Sequence, residues 1–294
     1  MRVMGLIMRQ DRSRGERLQC DVPPVVALLT DFGLLDHYVG AMKGAILCVC
    51  PEATIVDVTH EVPAHDVAAG ALALDAAYRH FPDGTAFAAV VDPGVGSERR
   101  PIAARAGRWL FVGPDNGLFT YVLEADPRAR VRLIANPRLV RVPTSPVFHG
   151  RDLFGPVAAR LAAGLALDDV GPAVADPVRL EPPPKARTED GWTGAVLHVD
   201  RFGNMTTNLL EADLAPLAEG SPEALEVRLG PAVLPLVRSY SDVAPGRPCA
   251  LVGSSGRLEI AVRLGRAADM PGAGPGARVL VRRRPGGVLH SRAR

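Results

Sequence analysis

The 294-residue chain has very little lysine. Of 34 basic residues only Lys43 and Lys185 are lysines, and the rest are arginines. Set against 32 acidic residues, they leave a net charge of only +2. No basic stripe is available for phosphate-driven binding, so no nucleic-acid partner is expected. With 27 Pro and 30 Gly, the arginine excess reads as GC-rich codon usage rather than as a functional signal. Cysteine is also sparse. Cys20, Cys48, Cys50 and Cys249 are scattered, and Cys48-Val-Cys50 lacks CxxC spacing, so no disulfide framework follows. A reduced, cytoplasmic protein is expected. No run of 18 apolar residues exists, and no membrane helix is expected. Residues 1–22 carry five arginines and no sustained apolar segment, unlike a secretory signal. They are expected to be a disordered extension, and 284–294 a disordered tail. No internal repeat is present.

What remains is ordinary globular material, 47% hydrophobic and 22% charged. The length suggests about two domains at roughly 150 residues each. Strand patterns at 24–31, 53–60, 85–92 and 108–113 alternate with helical patterns at 39–50, 66–81 and 152–166. That order predicts an α/β domain over 23–175 with a doubly wound, mostly parallel sheet. Residues 176–191, with Pro182-Pro183-Pro184, read as a linker. Short strand-like runs at 194–200, 223–230, 248–254, 257–265 and 277–283 predict a small all-β barrel or sandwich over 192–283.

Ligands of open parallel sheets bind beyond the carboxyl ends of the strands. Asp31, Asp92 and Asp115-Asn116 fall at such ends, although each equally suits a turn or a helix cap. The segment from Asp92 to Arg100 (DPGVGSERR) is a tight, glycine-shaped loop in which Asp92 and Arg99 can face one another. It suits a ligand site or a surface ion pair, and it lacks the third glycine of a dinucleotide loop. His149, in FHGRD, precedes a predicted helix whose positive end favours neutral imidazole. Asp152 suits that helix's N-cap. His60, His65 and Asp66 fit no usual zinc spacing, and no metal is expected. The kinase-like fragments DFG and HGRD stand in reversed order, and Gly253-Ser254-Ser255-Gly256 is one residue short of a nucleophile elbow.

Eight segments carry a family resemblance in order: 28–46, 55–67, 81–102, 111–118, 148–159, 198–209, 239–242 and 254–268. The chain resembles the S-adenosyl-L-methionine (SAM) hydroxide adenosyltransferases, adenosine-forming SAM hydrolases related to fluorinases and chlorinases. The resemblance implies an α/β domain joined to a β-barrel, in homotrimers whose sites lie between neighbouring chains. It implies attack of water or hydroxide on the ribose C5′ of SAM, releasing adenosine and L-methionine, with SAM as substrate and no cofactor. It places water handling on Asp92, Arg99 and His149. It assigns Asp31 to the ribose hydroxyls and Asp36 to the methionine ammonium. Asp200, Phe202 and Asn204 would meet the adenosine and methionine portions, Ser254 and Ser255 the carboxylate, and the Ala267 backbone adenine. Asn116 lies in a shared motif without an assigned role.

A sulfonium leaves readily, so the chemical difficulty is the nucleophile, since free water has a pKa of about 15.7. His149 is the expected proton acceptor, with Asp92 and Arg99 orienting the water. Two departures from the family bear on chemistry. Ser145-Pro146-Val147 replaces the family's Ser-Thr before FHGRD, and Gly150 stands where fluorinases carry a halide-binding serine. The alternatives are a halide-dependent, chlorinase-like transferase and a SAM- or adenosine-binding sensor with negligible turnover.

Overall fold

A computed structural model describes residues 23–139, 144–218 and 224–284. The expected extension 1–22 and all but the first residue of the tail 284–294 lie outside them.

The first half alternates strand and helix. It contains β1 (Val25–Thr30), α1 (Tyr38–Val49), β2 (Thr54–Thr59), α2 (Val67–Ala77), β3 (Ala86–Val90), β4 (Pro101–Ala106), β5 (Trp109–Pro114), α3 (Thr120–Glu124), β6 (Arg130–Leu133) and α4 (Gly155–Ala162). The sheet order is β2-β1-β3-β5-β4-β6. β1 pairs in parallel with β2 and β3, and β3 with β5; only β4 runs against its neighbours. Side chains alternate across each strand. Val26 and Leu28 therefore join Met42, Ile46 and Val157 on the α1/α4 face, while Ala27 and Leu29 join Leu74 and Val122 on the α2/α3 face. With both faces covered, β1 and β3 read as unbroken apolar runs, as expected of buried parallel strands.

β4 and β6 carry no comparable signal. β4 is Pro-Ile-Ala-Ala-Arg-Ala, poor in β-branched and aromatic residues. It forms because β5 and β6 flank it on both edges.

In the second half the strand ladders are all antiparallel, with one short α-helix among them. It comprises β7 (Ala186–Arg187), β8 (Gly191–Val199), β9 (Met205–Leu210), α5 (Glu211–Ala218), β10 (Leu225–Leu229), β11 (Ala232–Pro235), β12 (Pro248–Val252), β13 (Arg257–Val262) and β14 (Arg278–Arg283). The order β11-β10-β14-β8-β9-β13-β12 nearly closes on itself, because Leu236 after β11 bridges to Ala250 in β12. Val196, Met205, Leu209, Val227, Ile260 and Val281 fill the interior. β7 lies inside the stretch read as linker and pairs with β8. The halves are tied by Arg257 on β13, whose Nη2 lies 3.0 Å from Asp75 Oδ2 on α2. The Arg257 guanidinium also covers the Tyr121 ring at 4.9 Å. Among the described residues, no helix is long and apolar enough to cross a membrane.

Candidate active site

Three loop segments converge beyond the carboxyl ends of β1 and β3. The first, Asp31–His37, follows β1. The second, 91–100, follows β3 and folds into consecutive turns, in which Val95 N–H donates to Asp92 O and Ser97 N–H to Gly94 O. The third, 144–149, enters a π-helical turn, Gly150–Phe154, that runs directly into α4. Gly96 lets the second and third segments touch. Its φ is +79°, and a Cβ there would lie 2.9 Å from the Pro146 carbonyl oxygen.

That contact brings together residues fifty positions apart. Arg99 Nε is 3.0 Å from both Asp92 oxygens, and Nη2 is 2.5 Å from Oδ2. The same Nη2 reaches His149 Nδ1 at 2.6 Å. The two charged side chains are almost fully buried, at 9% and 5% exposure. The Phe154 ring lies beneath the guanidinium at 5.2 Å. Arginine can only donate, so His149 Nδ1 accepts and the neutral ring carries its hydrogen on Nε2. Burial, reinforced by the Arg99 charge, holds the His149 pKa below its ordinary 6.5, against opposing pulls from Asp92 and Asp152.

Asp92 and His149 line a cavity of about 320 Å³ together with Asp31, Phe32, Tyr38 and His65. Asp31 Oδ2 accepts the His65 backbone N–H at 2.9 Å. His65 adopts φ +67°, which is uncommon for a non-glycine residue. Phe32, Tyr38 and Phe148 pack edge-on or tilted against one another and form an apolar wall. Nothing in the spacing of these three aromatics marked them beforehand, because Phe32 lies in the loop after β1, Tyr38 opens α1 and Phe148 lies in the third segment, and they meet only in space.

Several neighbours prove to be supports. Asn116 Nδ2 donates to the Val91 carbonyl at 2.8 Å and so braces the residue before Asp92. Asp115 takes Arg100 and the Val178 N–H. Asp152 does not cap the helix. It lies fully buried inside the π-helical turn and accepts the Ser145 N–H at 2.8 Å, while Arg151 donates to both of its oxygens. Asp66, considered above beside His60 and His65, caps α2 by accepting the Ala69 N–H. Among the described residues, no group of three or more His, Cys, Asp or Glu side chains is arranged to hold a metal.

The remaining expected site residues lie elsewhere. Asp36 is exposed in the loop before α1 and does not line the cavity. Asp200 and Asn204 close the β8–β9 turn, with Asn204 N–H donating to Asp200 Oδ1 at 2.8 Å. Phe202 at its tip is 74% exposed. The buried Ala267 sits against the same turn, through Ala268 N–H donating to Gly203 O. Ser254 and Ser255 occupy the exposed β12–β13 turn, and Ser255 lines a separate cleft of about 230 Å³ beside Asp75, His198 and Arg257. All residues lining the Asp92/His149 cavity fall between 31 and 150. Within one chain, the barrel residues do not join it.

Family models match the same two halves. The SAM hydroxide adenosyltransferase N-terminal domain matches residues 26–171, and the corresponding C-terminal domain matches 194–280. An (R)-S-adenosyl-L-methionine hydrolase of Salinispora tropica is 45% identical over 88% of this chain and 97% of that protein. A fluorinase of Actinoplanes sp. is more distant, at 31% over 81% of this chain and 90% of its own length. A crystal structure of an uncharacterised conserved protein from Thermotoga maritima superposes with a TM-score of 0.83 at 36% identity, covering 88% of this chain and all of that one. The chain belongs to the SAM hydroxide adenosyltransferase family.

Proposed function

We propose that this protein hydrolyses S-adenosyl-L-methionine to adenosine and L-methionine. The observation that carries the reading is the buried Asp92–Arg99–His149 constellation, of which Asp92 and His149 line a cavity of about 320 Å³. The reaction forms a C5′–O bond to water and breaks the C5′–S bond. The electron pair goes to sulfur, which becomes the neutral thioether of methionine. No acid is needed for that departure.

The hydrogen-bond direction supports a division of roles. His149 keeps Nδ1 for Arg99, so the nitrogen it offers a ligand is Nε2, a donor. This replaces the expectation that His149 accepts the proton. His149 orients the water, and the Arg99 charge favours an oxygen that is losing a proton. Asp92 Oδ1 takes a single hydrogen bond from Arg99 and retains a lone pair. As oxygen bonds to C5′, the attacking water becomes a protonated alcohol, a strong acid. A carboxylate is basic enough to take that proton, and Asp92 then passes it to solvent.

The barrel residues complete the site from a neighbouring chain. A homotrimer would bring Asp200, Phe202, Asn204, Ser254, Ser255 and Ala267 over a neighbour's cavity. The apolar, exposed Phe202 tip supports this arrangement, and sedimentation of the purified protein tests it. The three described cysteines are free thiols, in keeping with a reducing cytoplasm.

The intact Asp92–Arg99–His149 set favours water over halide as the nucleophile, whereas Gly150 only lacks the serine that fluorinases carry and does not by itself exclude chloride. A Cβ at this position would lie 3.2 Å from two Phe32 ring carbons, so this chain has little room for a side-chain hydroxyl there. Incubation with SAM, with and without chloride, followed by chromatography, decides the matter. Adenosine is expected in both. A 5′-chlorinated nucleoside in chloride, or no product over hours, overturns the reading.

A further inference from the structure

The segment 55–67 received no role in the chemistry, and its His60 was set aside as a metal ligand. In the structure His60 is 3% exposed just beyond β2, next to a fully buried Thr30 at the end of β1. We propose that Thr30 and His60 are positioning residues that set the Asp31–Gly33 loop for substrate. The proposal rests on the reading of the cavity as a SAM site.

The polar contacts form one chain. Thr30 Oγ1 accepts the Phe32 N–H at 3.2 Å and lies 2.8 Å from His60 Nδ1. The Asp57 carboxylate facing Nε2 can only accept, so the ring places a hydrogen on Nε2 and leaves Nδ1 to take the hydrogen of the Thr30 hydroxyl. His60 then carries its hydrogen on Nε2, 3.0 Å from Asp57 Oδ1, in an approach too bent for a full hydrogen bond. Asp57 Oδ2 accepts from Lys43 Nζ on α1 at 2.6 Å. The His60 carbonyl meanwhile accepts the Gly33 N–H at 2.8 Å.

The two ends of this chain explain its purpose. One end is anchored on an exposed ion pair between α1 and β2. The other delivers hydrogen-bond partners to Phe32 and Gly33, the two residues after Asp31. Phe32 is the aromatic wall facing Gly150, and Asp31 offers its carboxylate to the cavity. A buried Thr–His pair is costly to leave partly satisfied and strongly directional when complete. An apolar pair of the same size would pack this sheet end without fixing the loop.

Thr30→Val keeps the shape and strips the hydroxyl, whereas Thr30→Ser keeps it. Loss of the hydroxyl should raise KM for SAM about tenfold with kcat within about twofold, and Thr30→Ser should remain within about twofold of wild type on both. Asp57→Asn, at the half-exposed end, leaves the core intact and should raise KM about threefold, since the charge-assisted contacts are lost. A Thr30→Val KM within about twofold of wild type overturns the proposal. So does a Thr30→Ser variant as impaired as Thr30→Val, because packing would then explain the loss. If Thr30→Val does not fold, an unchanged KM in Asp57→Asn overturns it alone. Adenosine affinity is measured by calorimetry across the same set. A wild-type protein that binds adenosine but never turns over SAM defeats the hydrolase reading, and the affinity ratios then decide the positioning proposal by the same thresholds.

Discussion

Replacing Arg99 by lysine keeps a positive charge beside Asp92 and removes the planar fork that joins Asp92 to His149. Arg99→Ala would leave the Asp92 carboxylate buried and unpaired, at a cost of about 3–5 kcal/mol, and loss of fold would obscure loss of chemistry. Lysine avoids this, because its ammonium can still reach Asp92. It cannot occupy the Nε and Nη2 positions together, so the 2.6 Å contact to His149 Nδ1 is lost. A hydrogen bond from a charged donor is worth about 1.5–3 kcal/mol, which corresponds to about ten- to a hundredfold in rate. The loss should fall on kcat, because in the proposed mechanism the triad holds water and makes no substrate contact. Adenosine formation at saturating SAM gives kcat, and a substrate titration gives KM. The thermal midpoint should fall by no more than about 2–4 °C per kcal/mol lost. A folded Arg99→Lys protein with kcat within threefold of wild type refutes the reasoning, as does one whose defect is confined to KM.

The pH profile should show one acidic limb from His149. Its folded pKa lies below 6.5, so the ring stays neutral through the neutral range and turnover should fall only as pH drops below that value; a limb centred above 6.5 contradicts the assignment. The same ring binds a proton more readily when unfolded, so its contribution to stability is present above pH 6.5 and is lost as pH falls below it, which acid titration of unfolding in wild type and His149→Gln should reveal as a difference. Gly150→Ser should push against Phe32, lowering hydrolysis without creating a chlorinated product, and chloride-dependent product from this variant would show that the ring yields. Arg257→Met keeps a stem over Tyr121 but removes the bond to Asp75, which retains Arg79. Chemical denaturation should register about 1–2 kcal/mol, and an unchanged midpoint would mean the halves are held together by other contacts.

The choice between donor and acceptor for His149 follows from the cost of charge in a nearly dry site. Asp92 and Arg99 offset one another at close range, so the pair is neutral as a unit. A third charge on His149 would face Arg99 directly. Protonation at Nδ1 would also set two donors nose to nose across 2.6 Å. In the proposed mechanism the imidazole therefore works uncharged, and the proton released by water goes to the group whose charge it reduces.

The parts legible in the sequence were those whose cause is local. β1 and β3 were visible because burial on both faces demands a continuous apolar run. Asp31 and Asp92 were visible because strand ends and glycine turns have a local grammar. β9 was not visible as a strand, because its Thr207 and Asn208 are buried polar residues. Their partners are Leu258 O, Ala195 N–H and Pro183 O, in three separate segments. Burial of such side chains is tolerable only with those partners in place, and no window of sequence contains them. The role of His149 was hidden for the same reason. Its position before a helix pointed to a neutral ring, but burial and the Arg99 charge are what disfavour the proton, and which nitrogen holds the hydrogen depends on Arg99, fifty residues away, reaching Nδ1 across a contact that Gly96 permits. A residue can thus be identified from its neighbours in sequence while its chemical direction, donor or acceptor, is fixed only by neighbours in space.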